Sequence, residues 1–291
     1  MSLLTTATLL AAETPPGEEG YPFKVPEVGL LFNYAPLIHF DAPGFLSFLA
    51  QKGGEFDGQI IITWPMLVLA GLTVLLFLFF WGAFRRFRTV PRGTQNVAEA
   101  GVDFVRGQII QPILGNQGDK WLPVLVTMFF WIFILNLMGI IPGIQFPITS
   151  RMAIPALLAI FVWLVYNGVG IANQGPVGYF KNMMFPPGVP APVYILLAPL
   201  EFVSTIIVRP FTLAVRLFAN MVAGHMVLVV MSIAAATFWA AQTPIHKAVA
   251  VLPFAFGAVM VGFEIFVAGM QAFIFTVLTA VYIAGAQEAH H

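Results

Sequence analysis

The chain predicts an all-α membrane protein: about five transmembrane helices and one amphipathic helix along the membrane surface, with the last two spans long and tilted. Three observations carry this. Hydrophobic residues make up 59% of the 291 residues and charged residues only 9%, where soluble domains carry about 25% charged. Apolar runs recur at lengths able to cross a hydrocarbon core of about 30 Å. The last two runs, 193–241 and 244–286, far exceed the usual span of about 20 residues, so each must tilt or break. The formal net charge is zero, and no long-range field argues for a nucleic-acid partner. Cysteine is absent, which excludes a disulfide framework and a thiolate metal site. No cofactor or metal is expected.

The N-terminus, M-S-L-L-T-T-A-T-L-L-A-A, is similar to a short signal core but lacks a basic flank, which argues against cleavage. Residues 1–58 read as an extramembrane arm, and residues 59–291 as the transmembrane part. The arm is polar and rich in Pro and Gly beyond residue 13, hence partly irregular. The first apolar run is Ile60–Phe84. It ends in Trp81 and the basic cluster Arg85, Arg86 and Arg88, with Arg92 close behind. Basic loops stay on the cytoplasmic side, so this cluster puts the N-terminus outside.

Residues 94–115 are less apolar. Glu99, Asp103 and Arg106 share one helical face, with Val97 and Phe104 opposite. That pattern suits a helix lying along the membrane surface; a solvated connector helix is the alternative. Pro123–Ile141 is the next span, with Pro123 in its first turn and Pro142-Gly143 ending it. Ile154–Ala172 returns across the membrane after a short loop holding Arg151. Residues 173–192 are rich in Gly and Pro, carry Lys181, and read as an inner loop. Pro199 and Pro210 are candidate kinks in the fourth span and Pro253 in the fifth. Five spans leave the C-terminus on the cytoplasmic side, and Arg106, Lys120 and Lys181 then also fall inside. No repeat of fixed period is visible.

The fourth span is apolar enough for a bilayer, yet it carries Glu201, Arg209, Arg216, Asn220 and His225. An ionisable group at mid-membrane costs roughly 2.5–3.5 kcal/mol on insertion scales, so such groups are functional candidates by default. Arginine stays protonated under almost any condition and cannot carry protons in the ordinary way. A fixed positive charge in a membrane points to something negative passing or docking. At about 100° per residue, Arg209, Thr212, Arg216 and Asn220 share one face. His225 falls on the opposite face from Arg216, so the two are not direct partners. In the fifth span Glu264 and Gln271, seven apart, are nearly aligned. The blander readings are structural: Arg216 bridged to Glu201 or Glu264 to fix packing, Arg209 snorkelling to an interface, and Asn136 or Asn220 as interhelical hydrogen bonders.

The run R-P-F-T-L-A-V-R-L-F-A-N-M-V-A-G-H, residues 209–225, resembles the signature of the subunit a family of F-type ATP synthases. L-N-L-M-G-I-I-P-G at 135–143 and Q-A-F-I-F-T-V-L-T-A-V-Y at 271–282 agree with it in order. The resemblance covers roughly residue 90 to the C-terminus. It implies a stator subunit of a proton channel in a bacterial plasma membrane. The implied partners are a ring of c subunits, the subunit b stalk and the rest of the complex. It implies two long tilted helices wrapped around the ring and two offset aqueous half-channels, with Arg216 as the essential arginine. Asn220 belongs to the same signature and joins the path. Gln271 matches a glutamine near that arginine. His225 and Glu264 match two positions that hold one acid and one histidine, in either order, as expected of side chains that touch. One departure stands out: the family's acid before the R-P step sits one residue nearer the arginine than Glu201 does. Either the extra residue forms a π-bulge or Glu201 is not the equivalent acid.

The chain lacks G-x-x-x-x-G-K-[ST], so no ATP binding or catalysis is expected of it. Two rivals remain at this point. A self-contained secondary transporter or channel would usually show an internal repeat. A membrane scaffold with buried ion pairs would lose stability, not flux, when a charge is removed.

Overall fold

A computed structural model describes residues 36–41, 59–85, 92–141, 149, 152–185, 193–241 and 243–287. Arg86, Arg88, Pro142, Gly143, Arg151 and most of the arm lie outside the described residues. Five helices are long and apolar enough to cross a membrane, as the sequence predicts.

The first span is shorter than its apolar run. Strands β1 (Pro36–Asp41) and β2 (Gln59–Thr63) pair antiparallel, with Ile38 opposite Ile62 and Asp41 opposite Gln59. Residues 60–63 therefore belong to a hairpin with the arm, and helix α1 begins at Trp64 and ends at Phe84. The segment I-I-I-T is β-branched throughout, and such side chains are stiff at χ1 and suit a pleated surface. The 21 residues of α1 still give about 31 Å of helix, enough to cross.

Helix α2 (Thr94–Val105) runs into a π turn at Arg106–Ile110 and a last helical turn, α3 (Gln111–Leu114). Gly115, at φ 58°, ends it. The core-facing side is set by small and polar residues, which the sequence reading left open. Gln95, Ala98, Val105 and Ile109 face inward, while Val97 and Phe104 are 64% and 46% exposed. The cause is a close approach: a Cβ on Gly101 would collide with the ring of Phe130. That contact seats the small-residue side of α2 on its neighbour and turns Val97 and Phe104 toward lipid. A 3₁₀ segment, Gly115–Trp121, leads into α4 (Leu122–Met138). Helix α5 (Ala153–Gln174) returns.

Residues 173–192 are not all loop. Gly175, at φ 73°, breaks the chain direction, and Pro176 then starts a short helix, α6 (Pro176–Met184). Proline has no N–H to lose at a first turn and its φ already suits a helix. Tyr179 anchors α6: its ring lies where a Cβ on Gly170 would be, and its hydroxyl donates to Asn167 Oδ1 at 3.0 Å.

The fourth span comprises α7 (Tyr194–Val203), a π turn at Ser204–Val208 and α8 (Arg209–Ala240). The fifth is a single helix, α9 (Pro244–Gln287), of 44 residues, with Pro253 inside it. That length is about 66 Å of helix, roughly double the hydrocarbon thickness, so α9 lies steeply tilted. Helices α8 and α9 pack along one another, and α4 and α5 pack against them. Leu125, Ile132, Val162, Leu217, Phe275 and Ile283 fill the shared core. Helix α1 stands at the edge, tied to α4 by the Trp131 indole N–H donating to Thr73 Oγ1 at 3.0 Å.

Candidate functional site

Arg216 is exposed on the outward side of α8, beside residues such as Phe211. Its neighbours at i−3 and i+1, Leu213 and Leu217, face the core instead, 2% and 1% exposed. The internal bridge that would make it a packing device is not formed. Among the described residues the ion pairs are Arg106–Asp119 and Arg209–Glu201. A permanent charge therefore stands on the outward face of α8, which it shares with Thr212.

Two cavities lie along α8, one on each side of Arg216 in the chain. The first, about 180 Å³, is lined by Asn220, Gly224, Glu264 and Asn136 among mostly apolar neighbours. Glu264 rests directly on Gly224: a Cβ there would collide with its Oε1. Only glycine leaves room for the carboxylate at this crossing. Glu264 Oε2 and Asn136 Nδ2 are buried without a hydrogen-bond partner among the described residues. Asn136 Oδ1 accepts from Thr149 Oγ1 at 3.2 Å. His225, next in the chain to Gly224, is 4% exposed.

The second cavity, about 210 Å³, lies toward the other end of α8. Glu201, Arg209, Tyr166, Tyr179, Asn182 and Tyr282 line much of it. The Arg209 guanidinium donates to Glu201 Oε1 at 3.4 Å and lies over the Tyr282 ring, 5.2 Å from its centroid. The π turn makes that pair. Eight residues apart on an ideal helix is about 80° out of line, and a π turn absorbing one residue brings the two within about 20°. A π turn thus stands between Glu201 and Arg209, the form offered above for an extra residue there. Tyr166 supports the turn by donating its hydroxyl to Thr205 O at 2.6 Å. Burial pushes the Tyr179 phenol above its ordinary pKa, so it stays a neutral donor.

The structure places the predicted residues unevenly. Glu264 and Asn220 share the first cavity; Glu201 lines the second. Thr212 shares the face of Arg216, but its hydroxyl donates to Val208 O and Arg209 O. Gln271 is 5% exposed, and its Nε2 is unpartnered among the described residues. Helices α8 and α9 are antiparallel, with Gly224 against Glu264 and Arg209 against Tyr282. Interpolated between those contacts, Arg216 comes level with Phe273, two residues past Gln271. Two roles were missed. Arg209 pairs with Glu201, which their spacing on an ideal helix does not show. Asn136 lines a cavity; its signal was its place in L-N-L-M-G-I-I-P-G.

Comparison with known proteins identifies the family. The sequence model of the family described as ATP synthase A chain matches residues 65–284. The chain is 41% identical over 254 residues to ATP synthase subunit a of Streptomyces lividans, covering 87% of this chain and 89% of that one. Identity to the protein of the same name from Rhodococcus erythropolis is 43% over 251 residues, 86% and 91% of the two chains. For Frankia alni it is 44% over 220 residues, 74% and 75%.

Proposed function

The chain belongs to the ATP synthase A chain family, and from that premise we propose that it is the stator half of the proton channel in an F-type ATP synthase. It is a multi-pass bacterial membrane protein by its helices and its relatives. The observation that carries the proposal is Arg216, exposed on α8 between two cavities that each hold a carboxylate. A proton enters from outside through the cavity of Asn220 and Glu264, with His225 beside it. It neutralises a carboxylate on a ring of c subunits, which can then turn through lipid. On return, the carboxylate loses its proton to the inner cavity of Glu201. Arg216 binds the ionised form and keeps the half-channels apart. Gln271, within one helical turn of its level on α9, helps to hold the ionised site. The N-terminus is outside and the C-terminus cytoplasmic, and the subunit b stalk holds the chain still. Catalysis of ATP synthesis belongs to other subunits.

The first test is isolation from membranes. The chain should co-purify with a ring of small two-helix proteolipids. Transport by this chain alone in liposomes would favour the self-contained transporter instead.

Two smaller effects follow. In the outer cavity, Gly224→Val must push Glu264 off its seat, since overpacking costs about 1–3 kcal/mol. Assembled complexes should then translocate protons at least about tenfold more slowly, because positioned proton donors contribute about 10²–10⁴-fold. Unchanged flux would show that the Glu264 carboxylate works from another position. In the inner cavity, Glu201→Gln should slow proton release several-fold. Arg209→Gln should do less if the pair only orients Glu201, and the double variant should resemble Glu201→Gln alone. Additive losses would mean that Arg209 acts independently.

A further inference from the structure

Next to the inner cavity, whose lining includes Gln174 and Ala286, the foot of α4, α5 and the end of α9 bound an open cleft of about 440 Å³ with no lining residue in common. Its wall is apolar, formed by Leu164, Gly168 and Val169 of α5. Outward from Leu164, which is 57% exposed, the same face of α5 continues over Phe161, Ile160 and Leu157, all exposed. The cleft mouth is different. Lys120 stands there at the foot of α4, and among the described residues no carboxylate lines the cleft. The adjacent Asp119 is committed to Arg106, which donates to it through Nε at 3.1 Å and Nη2 at 2.6 Å. Lys120 is thus the one charge on the lining among the described residues. Two further donors belong to the same lining: Trp121 Nε1 and Gln287 Nε2, both buried without a hydrogen-bond partner among the described residues. Buried donors left unmade are expensive, and native folds seldom leave two together.

We infer that this cleft holds one anionic phospholipid, its phosphate at Lys120, Trp121 and Gln287 and an acyl chain along α5. Each part of the lining selects part of the ligand. A phosphate diester supplies the acceptors and the negative charge that the mouth lacks. Basic groups at a membrane surface attract anionic lipids, and an indole at the headgroup level is a common anchor. The apolar lane suits hydrocarbon and leaves a free phosphate ion nothing to occupy. Bound there, the lipid would tie the foot of α4 to the C-terminal end of α9. The site is independent of the proton path proposed above.

The test uses the whole complex with a photoreactive residue at Ala172, an exposed position on the lining. Complexes are placed in vesicles of equal phosphatidylglycerol and phosphatidylcholine, illuminated, and the adducts are weighed. Proton flux is recorded on the same vesicles, so that failure here and failure of the channel reading are distinguished. The expected adduct is phosphatidylglycerol. Lys120→Gln should reduce it about fivefold, as loss of one basic group near a membrane surface predicts, and Lys120→Arg should retain it. Trp121→Phe and Gln287→Leu, which keep the shape and remove the donors, should each reduce it further, per assembled complex. Excess glycerol 3-phosphate should not compete. Equal adducts with both lipids and no response to the variants would mean adventitious lipid only. A polypeptide adduct would mean that a partner helix fills the cleft, and competition by glycerol 3-phosphate would mean a site for the free anion. Each of these results overturns the inference.

Discussion

Arg216→Ala is expected to give an assembled complex that makes no ATP from a proton gradient and passes protons passively. The reason lies in what the guanidinium does that no neutral side chain can. It is planar, permanently charged, and binds a carboxylate through two parallel hydrogen bonds. It therefore attracts an ionised ring carboxylate without ever taking its proton. Arg216 stands outward between two cavities that each hold a carboxylate. Without its charge, a carboxylate could pass still protonated, and protons could cross from one cavity to the other without rotation. Each such crossing wastes about 2.3 kcal/mol per 100 mV. Arg216→Lys keeps the charge but loses the fork and shortens the reach, so coupling should also fail, with a smaller leak. The measurement is proton flux and ATP synthesis in liposomes, normalised to assembled ring. A pure scaffold would behave in the opposite way: poor assembly, and normal work from whatever assembles. Near-normal coupled synthesis by assembled Arg216→Ala complexes would sink the mechanism.

Much of the fold was legible because a bilayer imposes a simple length rule. Apolar runs of 20 or more residues declare spans, and runs of twice that length declare tilt. The rule fails where apolarity does not distinguish strand from helix. Ile60–Thr63 is as apolar as the helix that follows, yet it pairs with β1; its β-branching was the only sign. It fails again at α6, where Gly175 and Pro176 look like loop punctuation but serve as a stop and a start. The surface helix was read from its charges, whereas the close approach at Gly101 decides which side is buried. For the site, ionisable residues inside an apolar run marked Arg216, His225 and Glu264 without any structure. The Glu201–Arg209 pair was not visible, because a helical wheel assumes 100° per residue and the π turn at Ser204–Val208 breaks that assumption. Asn136 was passed over because one amide in a span most often only joins helices. Its place in the Glu264 cavity required the fold.

Exchanging His225 and Glu264 is expected to restore part of what either loss removes. His225→Ala or Glu264→Ala should each slow proton-driven synthesis by roughly 100-fold, the lower end of what a positioned proton donor contributes. An imidazole and a carboxylate in contact can hold one labile proton between them, each offsetting the other's charge. That arrangement has no preferred order along the chain. The double variant His225→Glu with Glu264→His keeps both groups and only swaps their helices. Gly224 favours the swap, since an imidazole at 264 meets the same bare backbone on which the carboxylate now rests. The double variant should therefore run faster than either alanine variant, though below the natural chain, because the cavity around Asn136 and Asn220 was shaped for a carboxylate on α9. The comparison is initial ATP synthesis rate in vesicles at fixed proton gradient, with assembly checked for each variant. If the exchange runs no faster than the slower single variant, the two side chains do not share a proton. Glu264 would then receive its proton from the cavity itself, without passing through His225.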